Sequence, residues 1–206
     1  MARSLFELSA CDLIQALATG ACANERTGTG LTPLHAFADH PQAVAALLAH
    51  GADPNARTFM MLQAPLHMST NAEAVDLLLA AGARADARDG FGQTALHLAC
   101  GAHASLPIAR LLIEHGANPN VADYSDQRPL HLAKTKCLAD LLLDAGADPR
   151  AQDRYGFPTF NTYRRPAQVS HHIAWRMRKE QADEEQQLLE AATAAASRSI
   201  RPAVRL

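Results

Sequence analysis

Four stretches of the chain repeat one pattern of apolar positions, VAALLAHG, VDLLLAAG, ARLLIEHG and ADLLLDAG, closing on glycines 51, 82, 116 and 146. Apolar residues at i, i+3 and i+4 predict a helix with one buried stripe, and the closing glycine suits a left-handed helix end. Ahead of each run stands a tetrapeptide: TPLH at Thr32, APLH at Ala64, TALH at Thr94 and RPLH at Arg128, at steps of 32, 30 and 34 residues. Thr32 offers an N-cap and Pro33 a first helical position that forfeits no hydrogen bond, so the tetrapeptide predicts the start of a first helix. Beyond the glycine the chain runs through Asp or Asn and Pro into a turn such as RDGFGQ, Arg88–Gln93, whose glycines permit positive φ. One unit is therefore helix, turn, helix and projecting loop, and no unit can bury its apolar face without a neighbour.

These coupled motifs resemble those of ankyrin repeat proteins over about residues 5 to 160. The resemblance implies an all-α solenoid of stacked helix pairs with projecting hairpin loops, here called fingers, and a non-enzymatic role in protein binding. In its frame, LFELSACDLIQALATGACANERTGTGL reaches Thr32 eight residues after Asn24, the spacing from Asp86 to Thr94, and reads as an N-terminal capping repeat. RAQDRYGFPTFN puts Pro158 eight residues after Arg150, predicting a last finger and helix. The span from tetrapeptide to closing glycine is 19, 18, 22 and 18 residues, so the longest turn, ACGAHASLP, should bulge.

The expected organisation is a repeat array over 1–164 and a C-terminal capping helix, solvated extension and disordered tail over 165–206. Val169, Ile173 and Met177 make a stripe that can lie on the last repeat, with Trp175 nearby. RKEQADEEQQ, Arg178–Gln187, has almost no apolar face and should be solvated. Leu188 and Leu189 resume a weak stripe that leaves three outcomes open: folding back, pairing with another chain, or hanging free. SIRPAVRL, at the end, reads as disordered.

Composition narrows the function. With 48% apolar but only 5% aromatic residues, the core must be built from Leu, Ala and Val. A net charge of −2 argues against a nucleic-acid binder. Residues 1–163 hold 11 basic and 16 acidic side chains and residues 164–206 hold 8 and 5, which favours partners with some basic surface for the repeat body. Cys11, Cys22, Cys100 and Cys137 show no metal-like spacing and suit a reducing cytosol, with Cys100 and Cys137 as buried filler. Glu7, Asp12 and Gln15 break what would otherwise read as a signal peptide, and no run is long enough to cross a membrane. The expected location is the cytoplasm. The alanine content suggests a bacterial origin, with delivery into a host cell as the alternative.

Candidate chemistry is sparse. His35, His67, His97 and His131 recur about one repeat apart, roughly 10 Å, too far to share a metal whose ligands lie about 2 Å away. In ankyrin repeats this histidine bonds between units. GTGLTP, Gly28–Pro33, lacks the lysine of a phosphate loop, and no nucleophile or paired-carboxylate motif appears, so no catalysis, cofactor or metal is expected.

The resemblance points to loop tips and first helices as the binding side. Phe59, Phe91, Tyr124 and Tyr155 recur in the fingers at steps of 32, 33 and 31, beside Arg26, Arg57, Arg88 and Arg154 and near Phe157. Aromatics and arginine dominate interface energetics, while the alternative is that they stiffen the array. Asp39, His40, Asn71, His103 and Lys136 are expected to continue the surface along the first helices. TFMMLQ, Thr58–Gln63, is one residue longer than other fingers and has Leu62 where glycine is expected. Its Phe59, Met60 and Met61 either pack on neighbouring fingers or make an exposed apolar contact. The C-terminal helix offers a second possibility, self-association.

Overall fold

The computed structural model describes residues 5–7, 9–159 and 166–199. A 3-10 turn, Leu5–Glu7, and α1, Ala10–Ala18, precede four helix pairs. These are α2 (Pro33–Ala36) with α3 (Pro41–Ala49), α4 (Pro65–Met68) with α5 (Ala72–Ala80), α6 (Ala95–Cys100) with α7 (Leu106–Glu114), and α8 (Pro129–Leu132) with α9 (Lys136–Asp144). A single helix, α10 (Ala167–Ser199), follows. The long helices stack in the order α1, α3, α5, α7, α9, α10 and the short ones in the order α2, α4, α6, α8. The described residues contain no strand, only an isolated bridge between Gln152 and Pro158.

The Leu-rich runs supply one continuous core. Leu13, Leu47, Leu78, Leu112 and Leu142 are fully buried along the long-helix layer, and Leu34, Leu96 and Leu130 along the short one. Burying each such side chain stabilises by about 2 kcal/mol. Because each helix pair contributes only half of every interface, stability resides in the seams between units.

The first helices start differently from the expected hydroxyl cap. At Thr32 the hydroxyl accepts no backbone amide of the helix. Instead the ring Nδ1 of His35 accepts the Thr32 amide at 3.1 Å and the Thr32 hydroxyl at 2.8 Å. The same ring-to-amide bond joins His67 to Ala64, His97 to Thr94 and His131 to Arg128 at 3.0–3.2 Å. Since the imidazole does the capping, Ala64 and Arg128 can stand where Thr stands elsewhere. The Nε2–H then donates forward to the next finger: His35 to Gln63 O (3.0 Å), His67 to Gln93 O (3.2 Å) and Ala87 O (3.0 Å), and His97 to Gln127 O (3.0 Å). These bonds fix the neutral tautomer, and burial pushes the pKa values of His35, His67 and His97 below the ordinary 6.5.

A second set of clasps holds the opposite edge. Asn24 donates to Gly51 O (2.8 Å) and accepts from Asp53 N (2.8 Å). Asn55 repeats this on Gly82 and Arg84 at 2.9 Å, and Asn120 on Gly146 and Asp148 at 2.8 Å. Asp86 occupies the equivalent place and accepts from Asn118 N at 2.9 Å, but a carboxylate has no N–H to give.

Two expectations are corrected, and the longest turn falls where it was expected. Cys137 is exposed rather than buried, because the buried stripe of α9 runs through Leu138, Ala139 and Leu142. Cys100 is buried as expected. The long turn in the third unit arises partly because α6 runs six residues where α2, α4 and α8 run four, before Ala104 turns the loop at φ 47°. Asp39, His40, Asn71, His103 and Lys136 do not lie on first helices, which are too short to include them. Asp39, His40 and His103 sit in the turns, Asn71 caps α5 through Glu73 N and Ala74 N, and Lys136 begins α9.

α10 caps the array with Val169 and Ile173, both buried, and Met177 beside them. Its polar side is held too: Arg176 bonds Asp140 (3.0 Å) and Asp144 (2.8 Å), and His172 bonds Asp140 (2.7 Å). Those bonds raise the already high Arg176 pKa, chiefly through Asp144. Trp175 stacks on His172, with the Lys179 ammonium over its ring. Residues 180–193 are exposed throughout, so Leu188 and Leu189 do not fold back on the array. The expected boundary at 164/165, Phe160 and Asn161 of the last tetrapeptide, and the tail from residue 200 lie outside the described residues.

Candidate protein-binding surface

Five fingers share a closing backbone bond: Thr27 N to Leu31 O, Thr58 N to Gln63 O, Asp89 N to Gln93 O, Asp123 N to Gln127 O and Asp153 N to Phe157 O, at 2.8–3.0 Å. The second closure spans one residue more than the others, so the insertion expected in TFMMLQ is present. Each finger also donates to the one before it: Phe59 N to Thr29 O, Gly90 N to Met61 O, Tyr124 N to Phe91 O and Arg154 N to Ser125 O. Every finger uses a left-handed residue near its end, filled by Gly30, Leu62, Gly92, Asp126 and Gly156. Gly92 is needed twice over, because a Cβ there would also meet Tyr124 N at 3.0 Å.

The closures give a register that the spacing of aromatics alone had obscured. Phe59 and Tyr124 immediately follow the first closing residue, whereas Phe91 and Tyr155 stand one place further on. All four are exposed, at 60, 59, 56 and 64%. Phe59 also lies close over Gly30, so its ring has one packed and one open side. The guanidinium of Arg26 lies 6.0 Å from the Phe59 ring centre and that of Arg88 5.3 Å from that of Tyr124.

The arginines are partly structural. Arg26 donates to Arg57 O (3.1 Å), Arg57 to Arg88 O, and Arg88 to Ala122 O (2.7 Å), a ladder running forward one finger at a time. Arg154 is not the fourth rung. It stands at the Tyr124 position of its finger and reaches back to Tyr124 O, while Gln152 holds the rung position. Carbonyl bonds leave the guanidinium charge in place. Among the described residues, none of these four arginines has a carboxylate within ion-pair distance.

The finger carboxylates, by contrast, are hidden. Asp89, Asp123 and Asp153 are buried, and each accepts two amides of its own turn at 2.8–3.0 Å. Asp126 is the acid left exposed within the turns. The finger row therefore turns its guanidinium groups outward and three of its carboxylates inward, although the repeat body is acidic in total.

The second finger carries the largest apolar exposure: Met60 at 84%, with Phe59, Met61 and Leu62 around it. Met60 and Met61 flank a cleft of about 280 Å³ lined also by Thr29, Leu31, Thr58 and Gln63. Sequence reasoning missed Leu62, Thr29 and Leu31. The step of 31 residues from GTGL to its counterpart in TFMMLQ would have placed the two fingers side by side. Phe157, 40% exposed, lies at the far end of the row, away from this cleft. A wider cleft, about 500 Å³, opens between α6 and α8 and includes His97, Gly101 and Leu132.

Family comparison agrees with the geometry: a model of three ankyrin repeats matches residues 60–153 and a single-repeat model matches residues 29–59. The chain belongs to the ankyrin repeat family. Ankyrin repeats are generic protein-interaction modules. Residues of this array are 46% identical over 55 positions to a nematode (Caenorhabditis elegans) "Ankyrin repeat and LEM domain-containing protein 1 homolog". They are 37% identical over 67 positions to rice (Oryza sativa subsp. japonica) "Potassium channel KOR1". The matches cover 25% and 31% of this chain and 8% of each relative, so the likeness extends to repeats and not to whole proteins. No helix among the described residues is long and apolar enough to cross a membrane.

Proposed function

We propose that this ankyrin array is a cytoplasmic, non-enzymatic binding module whose partner protein contacts the finger row: Arg26, Arg57, Phe59, Met60, Met61, Arg88, Phe91, Tyr124, Arg154, Tyr155 and Phe157. The observation that carries the reading is the second finger, which leaves Phe59, Met60, Met61 and Leu62 all more than 40% exposed on one turn. A contiguous apolar tip is unfavourable in water and useful in an interface, where Met adapts its shape to the partner. Among the described residues these arginines have no carboxylate partner, and their charge adds direction and encounter rate.

The test is capture from a lysate of the source cell on immobilised protein, comparing the native chain with Phe91→Ala plus Tyr124→Ala. Loss of two exposed aromatic anchors should lower capture about tenfold or more. Unchanged capture removes the finger row from the interface.

A further inference from the structure

The finger row turns exposed arginines and an apolar tip outward, and the same chain carries an acidic segment with its own exposed apolar pair. Residues 180–193 of α10 hold Glu180, Asp183, Glu184, Glu185 and Glu190 and no Lys or Arg. Every one of these fourteen residues is exposed, including Leu188 at 71% and Leu189 at 61%. Glu184 and Glu185 precede the leucines by one helical turn, so carboxylates and leucines share one face. Glu180 is satisfied by Arg176 of its own helix, leaving four acids facing solvent. The first half of α10 is clamped to α9, so the second half projects about 30 Å beyond Lys179 at 1.5 Å per residue.

From this complementarity we infer that the acidic arm of α10 in one copy binds the finger row of a second copy, with Leu188 and Leu189 in the Met60–Met61 cleft and Glu184 and Glu185 toward Arg57 and Arg88. The inference rests on the finger-row reading above and names one occupant for it. The contact is heterologous: each chain offers one arm and one row, so association runs head to tail and continues until a ring closes. Pairing of charged groups across it makes it weaken with salt.

The experiment is light scattering on the full chain across a dilution series, with two variants, Leu188→Asp plus Leu189→Asp in the arm and Met60→Asp plus Met61→Asp in the finger. The native chain should rise in mass above the 22.1 kDa monomer as concentration increases, and fall back in high salt. Each variant should stay monomeric. Mixed together, the two variants should form a species of two chains and no larger, because one intact arm then meets one intact row. Circular dichroism melts identical to native show that neither variant acts by unfolding.

A native chain that stays monomeric overturns the inference. So does a finger variant that still associates, which is the signature of arm pairing with arm, or a mixture that stays monomeric. None of these results touches the finger-row reading, whose own failure is unchanged partner capture by the Phe91 and Tyr124 variant.

Discussion

The second and third fingers share the same kind of anchor and differ in how they are closed. The third closes across four residues on a buried carboxylate, Asp89, which accepts the amides of Phe91 and Gln93, and turns on Gly92 at φ 78°. The second closes across five on a hydroxyl, Thr58, which accepts one amide, Gln63 N at 3.1 Å, and turns on Leu62 at φ 49°. Left-handed backbone costs a residue with a Cβ about 1 kcal/mol. Both fingers are anchored behind by a histidine and joined by the Gly90–Met61 bond. A shared anchor therefore lets one finger give up its best closure and carry apolar side chains outward, and local strain at an exposed tip is a common mark of a functional site.

The largest expected effect acts on the anchors common to both. His35, His67 and His97 are held neutral by burial in the folded chain and titrate near 6.5 when unfolded. Below that pH the unfolded chain binds more protons, so stability is full above about pH 6.5 and falls as pH drops through it. Calorimetry at pH 7.5 and 5.0 should show a lower melting temperature in acid, and a flat profile would mean that the rings are not shielded. Next in size, Asp89→Ala should cost about 3 kcal/mol in urea unfolding, against about 1 kcal/mol for Thr58→Ala; equal losses would erase the distinction between the closures. Gly92→Ala should cost about 2 kcal/mol from φ and the Tyr124 contact, whereas Leu62→Gly should gain about 0.5 kcal/mol, strain relief being partly offset by a freer unfolded chain. Smallest of all, Met60→Asp with Met61→Asp should leave stability within about 0.5 kcal/mol of native. A collapse there would mean that the second finger is packed and not presented.

Much of this was legible in the sequence because it is periodic. The Leu runs, closing glycines and tetrapeptide histidines each recur once per unit, and periodicity is what a stacked solenoid imposes. The extra residue in TFMMLQ and the missing glycine at Leu62 were legible for the same reason. What escaped depends on frames one residue wide. The aromatics step by 32, 33 and 31 and look equivalent, yet the closing bonds put them at two alternating positions and set Arg154 out of line with Arg88. Nor can a charge total show that Asp89, Asp123 and Asp153 turn inward while Arg26, Arg57 and Arg88 stay out, since that is decided by amides of the turn. Cys137 was misplaced by the same narrow margin, one position off a buried stripe.

Asp86 has a wider consequence than its single bond. A linear array is as stiff as its successive seams, and three of them are riveted by an asparagine that both gives and takes a hydrogen bond. The seam at Asp86 has half a rivet, and the wide cleft between α6 and α8 opens in the same interval. That seam is held instead from the finger side, where Arg88 bonds Ala122 O, Gln93 bonds the Asp123 carboxylate and His97 bonds Gln127 O, so its two edges are fastened unequally.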